Sequence, residues 1–393
     1  MEKINILLSC KVMPYYRIGV FSELSKDNNN LKFYFFGDTK IQGGIKQIPF
    51  EYSYEKHPFF VRWVRTRNYF HKPERLLWQT GIIKQIFKSK FQVFIFEGAI
   101  MNYPVWLYAF LCKIIGKKVL FWTHGNRGID RGVKKILRKI LFKYLGDGLL
   151  LYGNLQRMNM IKDGYDINSL HVIYNSLLSS VQLKTAEKFK KSDILIKKKS
   201  YFKNYNDFTM LFIGRLVKQK EVINILQTQN ILKTKYNVYT NVIFIGEGPE
   251  RKNLENFINL NDLTNQVYFA GPLYDEIDIA PLFLMSNLMI SPGNVGLNCI
   301  HSLAYGVPVL THNNFKFQNP EVESIVEGET GYFYNYNDKS SMTNKVLEII
   351  GDQKNKSFSD KCINIINNKY NEAFHAKKIR ESIIKTVKKQ NIK

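Results

Sequence analysis

The sequence predicts an α/β chain of two doubly wound, Rossmann-like domains facing a central cleft. Three observations carry that expectation. At 393 residues the chain is too long for one small domain and sufficient for two α/β domains. Short apolar runs alternate with helix-period segments in each half, the pattern of parallel strands joined by helical crossovers. Several of those runs end in glycine-bearing turns that open a helix, where backbone N–H groups and a helix dipole receive anionic ligands in such sheets.

In chain order, the first domain (residues 1–176) holds strands at Ile4–Leu8, Leu31–Phe36, Val93–Phe96, Val119–Trp122, Gly148–Tyr152 and Val172–Tyr174. Val20, Phe21 and Leu24 begin one helix, and an apolar helix runs from Pro104 to Ile115. His57 to Trp78 mixes aromatic rings with arginines, which suits a membrane interface; an irregular segment with buried rings and solvated arginines is the simpler account. After Thr123-His124-Gly125-Asn126-Arg127 comes an amphipathic helix. Val133, Ile136, Leu137, Ile140, Leu141 and Tyr144 fall on one side, and Lys134, Lys135, Arg138, Lys139 and Lys143 on the other. The apolar side is expected to pack on the sheet, leaving the basic side to solvent or to an anionic membrane.

Residues 177–207 are polar, contain the run Lys197-Lys198-Lys199, and read as an interdomain connection with some helix. The second domain (208–356) has strands at Thr209–Ile213, Val242–Ile245, Val267–Phe269, Leu288–Ile290 and Val307–Leu310. Its helices cover Ile223–Lys233, Arg251–Asn259 and Ile279–Phe283, and one more starts at Leu297 and stops at Gly306, a residue suited to a helix C-terminus. Residues 357–393 read as further helices.

Composition narrows the partners. The chain is 45% hydrophobic and 23% charged, a globular balance. Fifty-seven Lys and Arg against 33 Asp and Glu give a net charge of +24, a field that attracts polyanions and favours an anionic membrane surface. No nucleic-acid-binding motif accompanies that charge, so nucleic acid is not an expected partner. Cys10, Cys112, Cys299 and Cys362 are scattered without a CxxC pair, as reduced thiols are. The N-terminus, whose apolar core ends at Lys11, reads as a strand rather than a signal peptide, and the apolar stretch Tyr103–Cys112 is too short to span a bilayer.

The chemistry-bearing motifs cluster in the second half. SPGNVGL (Ser291–Leu297) links a buried strand to a helix and presents free amides to a phosphate or diphosphate; an ordinary βαβ turn is the plain alternative. In Gly214-Arg215-Leu216-Val217-Lys218-Gln219-Lys220, a glycine turns the chain and Arg215 and Lys220 can reach one anion, the first as a bidentate fork and the second as a point charge. Gly246-Glu247-Gly248-Pro249 and Ala270-Gly271-Pro272 are weaker turn signals.

Taken in order over Thr209 to Asp338, GRLxxxK, GEGPE, FxG, SPGNVGL…AYGVPV and EGETGYF resemble the bacterial retaining glycosyltransferases of family 4. Pro14-x-Tyr16-Arg17 and Trp122-Thr123-His124-Gly125 agree more loosely. The resemblance implies the GT-B fold, with C-terminal helices returning to the first domain, and a nucleotide diphosphate sugar as donor. It implies that Arg215 and Lys220 bind the diphosphate and stabilise the leaving group. The amides around Gly296 and Leu297 then hold the distal phosphate, with Asn294 and Val295 in the same turn. The turns at Gly214, Gly246-Glu247-Gly248 and Gly271-Pro272 line the nucleotide side. His124 sits near the transferred sugar, and Tyr16 and Arg17 lie on the acceptor side.

Two departures matter. Many such proteins carry two glutamates eight positions apart, where this chain has Gly293 and His301; His301 can still bond a ribose hydroxyl but supplies no fixed negative charge. Glu221 stands where glycine usually follows the lysine. No Asp-x-Asp signature is present, because Asp275-Glu276-Ile277-Asp278 has two intervening residues, so neither metal nor cofactor is expected. The expectation is a cytoplasmic glycosyltransferase, peripheral on the inner face of the membrane. It acts with retention on a growing glycan, a polyprenyl-diphosphate-linked surface polysaccharide intermediate. The alternative is a non-catalytic, sugar-nucleotide-binding partner of such an enzyme.

Overall fold

A computed structural model describes residues 3–26, 30–38, 47–49, 62–69, 76–126, 132–352 and 358–388. The chain divides into two compact units, residues 1–178 with 372–393, and residues 179–371.

In the first unit, β1 (Ile4–Val12), β2 (Leu31–Asp38) and β3 (Trp63–Arg65) lie on one side of the sheet. A two-residue antiparallel pair, β4 (Asn68–Tyr69) with β5 (Trp78–Gln79), follows, and β6 (Val93–Glu97), β7 (Lys118–Thr123), β8 (Gly148–Leu151) and β9 (Leu170–Val172) continue the sheet. The order is β3-β2-β1-β6-β7-β8-β9, parallel throughout. Chain direction across the sheet reverses between β1 and β6, which leaves a crevice at their C-terminal ends. Helices α1 (Ile18–Ser25), α2 (Ile82–Ile86), α3 (Tyr103–Ile114), α4 (Gly132–Leu145) and α5 (Asn154–Lys162) connect the strands. Strands buried on both faces need the continuous apolar runs seen in Ile6–Leu8, Val93–Phe96 and Val119–Trp122. Within the segment His57 to Trp78, residues 57–61 and 70–75 lie outside the described residues, as does Arg127. In the rest, Trp63 is buried and Arg65 and Arg67 are exposed.

Helix α4 departs from expectation. Phe142 packs in the core beside Leu141 and Leu145, but Val133, Ile136, Leu137, Ile140 and Tyr144 face outward, with Val133 80% and Ile136 60% exposed. The basic residues include those turned toward the body of the unit. Lys135 pairs with Asp163, the Arg138 guanidinium donates to the Gly125 carbonyl, and Arg138 and Lys139 are half-buried. The polar ends of neighbouring loops thus capture the cations and rotate the apolar stripe into the open. Beside it, α3 exposes Leu107, Phe110 and Ile114, the last at 65%.

The second unit begins earlier than the composition suggests. The lysine-rich 177–207 stretch, expected as an interdomain connection with some helix, is largely helical. It forms α6 (Ser179–Ala186) and α7 (Lys191–Tyr201), and α6 packs on helices of the second unit. Polar residues bury there because they find partners; Gln182 donates to Glu276 Oε1 at 3.1 Å. Strands β10 (Phe208–Ile213), β11 (Thr240–Ile245), β12 (Val267–Gly271), β13 (Leu288–Ser291), β14 (Val309–His312) and β15 (Gly331–Tyr334) form a parallel sheet in the order β12-β11-β10-β13-β14-β15. The reversal falls between β10 and β13. Helices α8 (Ile223–Tyr236), α9 (Arg251–Leu260), α10 (Glu276–Leu284), α11 (Leu297–Ala304), α12 (Lys339–Asp352) and α13 (Ser359–Lys369) complete the unit. Gly306 ends α11 with φ of +73°. Of the C-terminal helices, α13 packs on α11 in this unit, and only α14 (Glu372–Lys388) belongs to the first, where Ala376, Ile379 and Ile383 join the core. All four cysteines are buried and unbridged. Among the described residues, no helix is long and apolar enough to cross a membrane.

Candidate functional site

The C-terminal ends of β10 and β13 border the reversal point of the second sheet, and the loops that follow them are tied together by backbone. Gly214 N–H donates to Ile245 O, Gly246 N–H to Gly271 O, and Leu216 N–H to Glu247 O, so the turns at 214–216, 246–248 and 271 form one layer. Two glycines make that layer possible. A Cβ on Gly246 (φ +139°) meets the Gly214 carbonyl oxygen at 1.9 Å, and one on Gly248 (φ +159°) meets that of Leu216 at 2.3 Å. Glu247 and Pro272 are exposed at its edge.

Arg215 is exposed on this layer, and Lys220 reaches across to the next loop, where Nζ donates to the Asn294 carbonyl at 2.6 Å. Gly293 N–H donates to Lys220 O at 3.0 Å, which pins the 218–220 turn against 292–294. Burial and the nearby Arg215 guanidinium push the Lys220 ammonium down to about 8. Two cations held this close, with one of them partly desolvated, are the electrostatic complement of an anion.

Gly293 has a packing reason. A Cβ there comes within 2.4 Å of the Gln219 carbonyl oxygen and 2.8 Å of Lys220 Cα, so a glutamate does not fit this position. Glu221 adopts φ +50°, the left-handed conformation that glycine takes freely, and its carboxylate accepts from Asn224.

The amides of the 293–297 turn depart from expectation. Val295 N–H donates to Gln318 Oε1 at 2.7 Å, and Gly296 N–H to Asn298 Oδ1 at 2.9 Å. Both are taken by side chains that sequence reading passed over, which leaves Leu297 at the first turn of α11. His301 is also drawn away from its expected part. Its Nε2 lies 3.0 Å from Glu276 Oε2, which accepts from Tyr305 as well at 2.7 Å. Burial alone raises the Glu276 carboxyl, but the partners His301, Tyr305 and Gln182 hold it below the usual carboxylate range. The structure therefore brings Arg215, Lys220, Gly293 and Asn294 together and ties His301 into a cluster with α10.

In the first unit, His124 follows β7 and its ring lies tilted against that of Tyr152, 4.7 Å between centroids. Both line a cavity of about 410 Å³ at the strand ends. Arg17 is buried rather than open to a ligand. It donates to Glu97 Oε1 at 3.1 Å and to Tyr152 Oη at 2.8 Å, and it lies 4.5 Å from the Trp122 ring centroid. Tyr16 sits beside it, half-buried, with the Arg17 guanidinium 5.7 Å from its ring centroid. Glu97 was missed by sequence reading, although a carboxylate directly ending the buried strand Val93–Phe96 is a visible signal.

Residues 193–372 match the family model described as glycosyl transferases group 1. The chain is 28% identical over 174 residues to the capsular polysaccharide biosynthesis glycosyltransferase CapM of Staphylococcus aureus; that match covers 42% of this chain and 43% of CapM, under half the length of either. The structure resembles Anabaena HepE in complex with UDP, with a TM-score of 0.71 at 15% identity over 97% of this chain and 99% of that one. It also resembles the apo form of the lipopolysaccharide outer core galactosyltransferase WaaB, with a TM-score of 0.67 at 11% identity over 97% and 99% of the two chains. The chain therefore has the two-domain α/β fold of the GT-B glycosyltransferases.

Proposed function

We propose that this chain is a metal-independent glycosyltransferase that moves a sugar from a nucleotide diphosphate donor to a hydroxyl of a growing glycan, with retention. The observation that carries the reading is the Arg215–Lys220 cation pair beside the β10/β13 reversal point, fixed by the Lys220–Asn294 bond. The pair takes the donor diphosphate and stabilises the charge that develops on it as the bond to the sugar breaks. The turns at Gly246-Glu247-Gly248 and Gly271-Pro272 take the nucleotide side, and Leu297 at the start of α11 takes the distal phosphate. His124 meets the transferred sugar. CapM and WaaB, named for capsule and lipopolysaccharide work, support a surface glycan as acceptor, and HepE, solved with UDP, supports a nucleoside diphosphate as the donor's leaving group.

The pH dependence of nucleotide affinity tests this reading. With Lys220 near 8, the free protein carries the ammonium below that pH and loses it above. A bound diphosphate favours the charged form, so affinity is full below pH 8 and falls as pH rises through it, by up to about tenfold per unit. With a second pKa of about 6, the phosphates are already about nine-tenths ionised at pH 7 and change little up to pH 9. The Kd of UDP, GDP, ADP and TDP, measured by calorimetry at pH 7 and 9, is expected to single out one nucleotide, bound at least several-fold more weakly at pH 9. Equal affinity at both values removes Lys220 from the site.

A second reading is a donor-binding, non-catalytic partner of a transferase, favoured by Gly293 and by the capture of His301 by Glu276. It predicts the same nucleotide affinity without release of nucleotide from any nucleotide sugar.

The acceptor in the preferred reading is a lipid-diphosphate-linked glycan met at the inner face of the cytoplasmic membrane. Support comes from α3 and α4, whose outward apolar residues are edged by α4 lysines, a pairing that suits the interface of an anionic bilayer. Flotation with vesicles of anionic phospholipid is expected to carry the protein up. An Ile136→Glu, Ile140→Glu double variant is expected to lose at least tenfold in bound fraction while Tm and UDP affinity hold. Equal flotation of the variant refutes this surface.

A further inference from the structure

The cavity of the first unit holds a carboxylate, Glu97, that belongs to a different unit from the proposed donor site. Glu97 ends β6 at the crevice where chain direction reverses between β1 and β6, the place where doubly wound sheets receive ligands. It is gripped from two sides. Arg17 Nη1 donates to Oε1 at 3.1 Å, and the Lys11 backbone N–H, from β1, donates to Oε2 at 3.0 Å. The Arg17 side chain is 7% exposed and that of Glu97 is 25% exposed, so of these two residues that line the cavity the cation lies deeper and the carboxylate is the more open. Arg17 is braced in turn by Tyr152 Oη and by the Trp122 ring.

Burying a guanidinium is unfavourable unless its partners are well placed, and replacing such a pair by apolar side chains is often neutral for stability. An arrangement that buries the cation and leaves the anion accessible is more than a fold needs. Each carboxylate oxygen has two acceptor directions, and the two grips use one on each. The other two remain for donors. The cavity around them mixes polar side chains, among them Thr123, His124, Tyr152 and Lys134, with apolar ones such as Ile100 and Trp122, as a site for the hydroxyls and C–H faces of a sugar ring does.

We propose that Glu97 holds the acceptor, receiving hydrogen bonds from hydroxyl groups of its terminal sugar, with buried Arg17 as the positioning residue that aims it. This rests on the glycosyltransferase reading and assigns the acceptor end of it. The ligand class is a saccharide with two vicinal or nearby hydroxyls. Glu97 acts by orienting the acceptor through hydrogen bonds from its hydroxyls.

The test uses the full chain with its nucleotide sugar and a synthetic acceptor. Glu97→Gln keeps the shape and still accepts from Arg17. It is expected to raise acceptor KM by about 10- to 100-fold, the effect of weakening bonds to a charged acceptor group, with UDP Kd and slow donor hydrolysis unchanged. Tm is expected to fall, because the amide cannot accept from both Arg17 and the Lys11 N–H and the buried guanidinium loses its anion. Acceptors lacking one hydroxyl at a time supply the second arm. One of them is expected to lose the same factor with the unaltered protein and nothing further with Glu97→Gln. Arg17→Lys, which keeps charge but loses the fork, is expected to shift acceptor KM in the same direction by less. An acceptor KM that does not move in Glu97→Gln, with nucleotide affinity intact, overturns the proposal. Absence of nucleotide binding by the unaltered protein strikes instead at the donor assignment, which lies in the loops of the second unit.

Discussion

Lys220→Ala lowers kcat/KM for the nucleotide sugar by about 1000-fold, the scale seen when one preorganised charge at a leaving group is removed. The same variant keeps or gains thermal stability at pH 7. The sign follows from the direction of its shift. The folded chain holds Lys220 at about 8, below the value of a free lysine, because burial and Arg215 disfavour its charge. That penalty acts at every pH below 8, where both folded and unfolded chains carry the proton, and it fades as pH rises toward the unfolded value. Removing the ammonium at pH 7 relieves it, against the loss of one hydrogen bond to Asn294, worth about 1 kcal/mol. Activity and Tm therefore move in opposite directions, the mark of a residue kept for binding rather than for folding. A kcat/KM within tenfold of the parent refutes the assignment, and a large fall in both together makes Lys220 a structural residue.

Gly293→Glu abolishes nucleotide binding. The substitution installs the residue that many resembling sequences carry, so a reading from resemblance alone anticipates a gain. Here the first side-chain atom already sits 2.4 Å from the Gln219 carbonyl oxygen and 2.8 Å from Lys220 Cα, both backbone, which cannot swing aside as a side-chain tip does. The 218–220 turn has to lift, and with it go the bond from Gly293 N–H to Lys220 O and the placement of the ammonium. Overpacking of this kind costs about 1–3 kcal/mol. Because the offending atom is Cβ, Gly293→Ala is expected to do nearly as much harm as Gly293→Glu, with UDP affinity down at least 100-fold in both and Tm lowered by several degrees. Retained affinity in Gly293→Glu shows instead that the turn moves freely.

These two positions mark what the sequence makes legible. Parallel strands buried on both faces announce themselves as apolar runs, and glycines that precede helices announce the turns, so both sheets and the Arg215–Lys220 pairing follow from local pattern. What escapes is whatever depends on a partner far along the chain. Val295 and Gly296 look like open amides until Gln318 and Asn298 come to cap them. His301 looks available for a ligand until Glu276 claims it. Helix α4 carries a periodicity that fixes which residues share a face but not which face turns inward. Asp163 and the Gly125 carbonyl decide that by drawing the cations toward the body of the unit. Residues 177–207 read only as a connection with some helix because their burial rests on polar contacts, such as Gln182 with Glu276, that no hydrophobicity count registers.

The placement of α14 governs the order of birth of the two units. The first unit draws Ala376, Ile379 and Ile383 into its core, while the second is complete at residue 371. On a ribosome the second unit thus has all its residues before the first does, although its coding sequence comes later. Residues 179–371 take about 10–40 s to synthesise at ~5–20 residues per second. Throughout that interval the emerging first unit lacks the helix that covers one face of its sheet, with Val20, Phe21, Phe33 and Phe35 among the residues of the same cluster. Synthesis therefore passes through a window in which that face is open to other nascent chains.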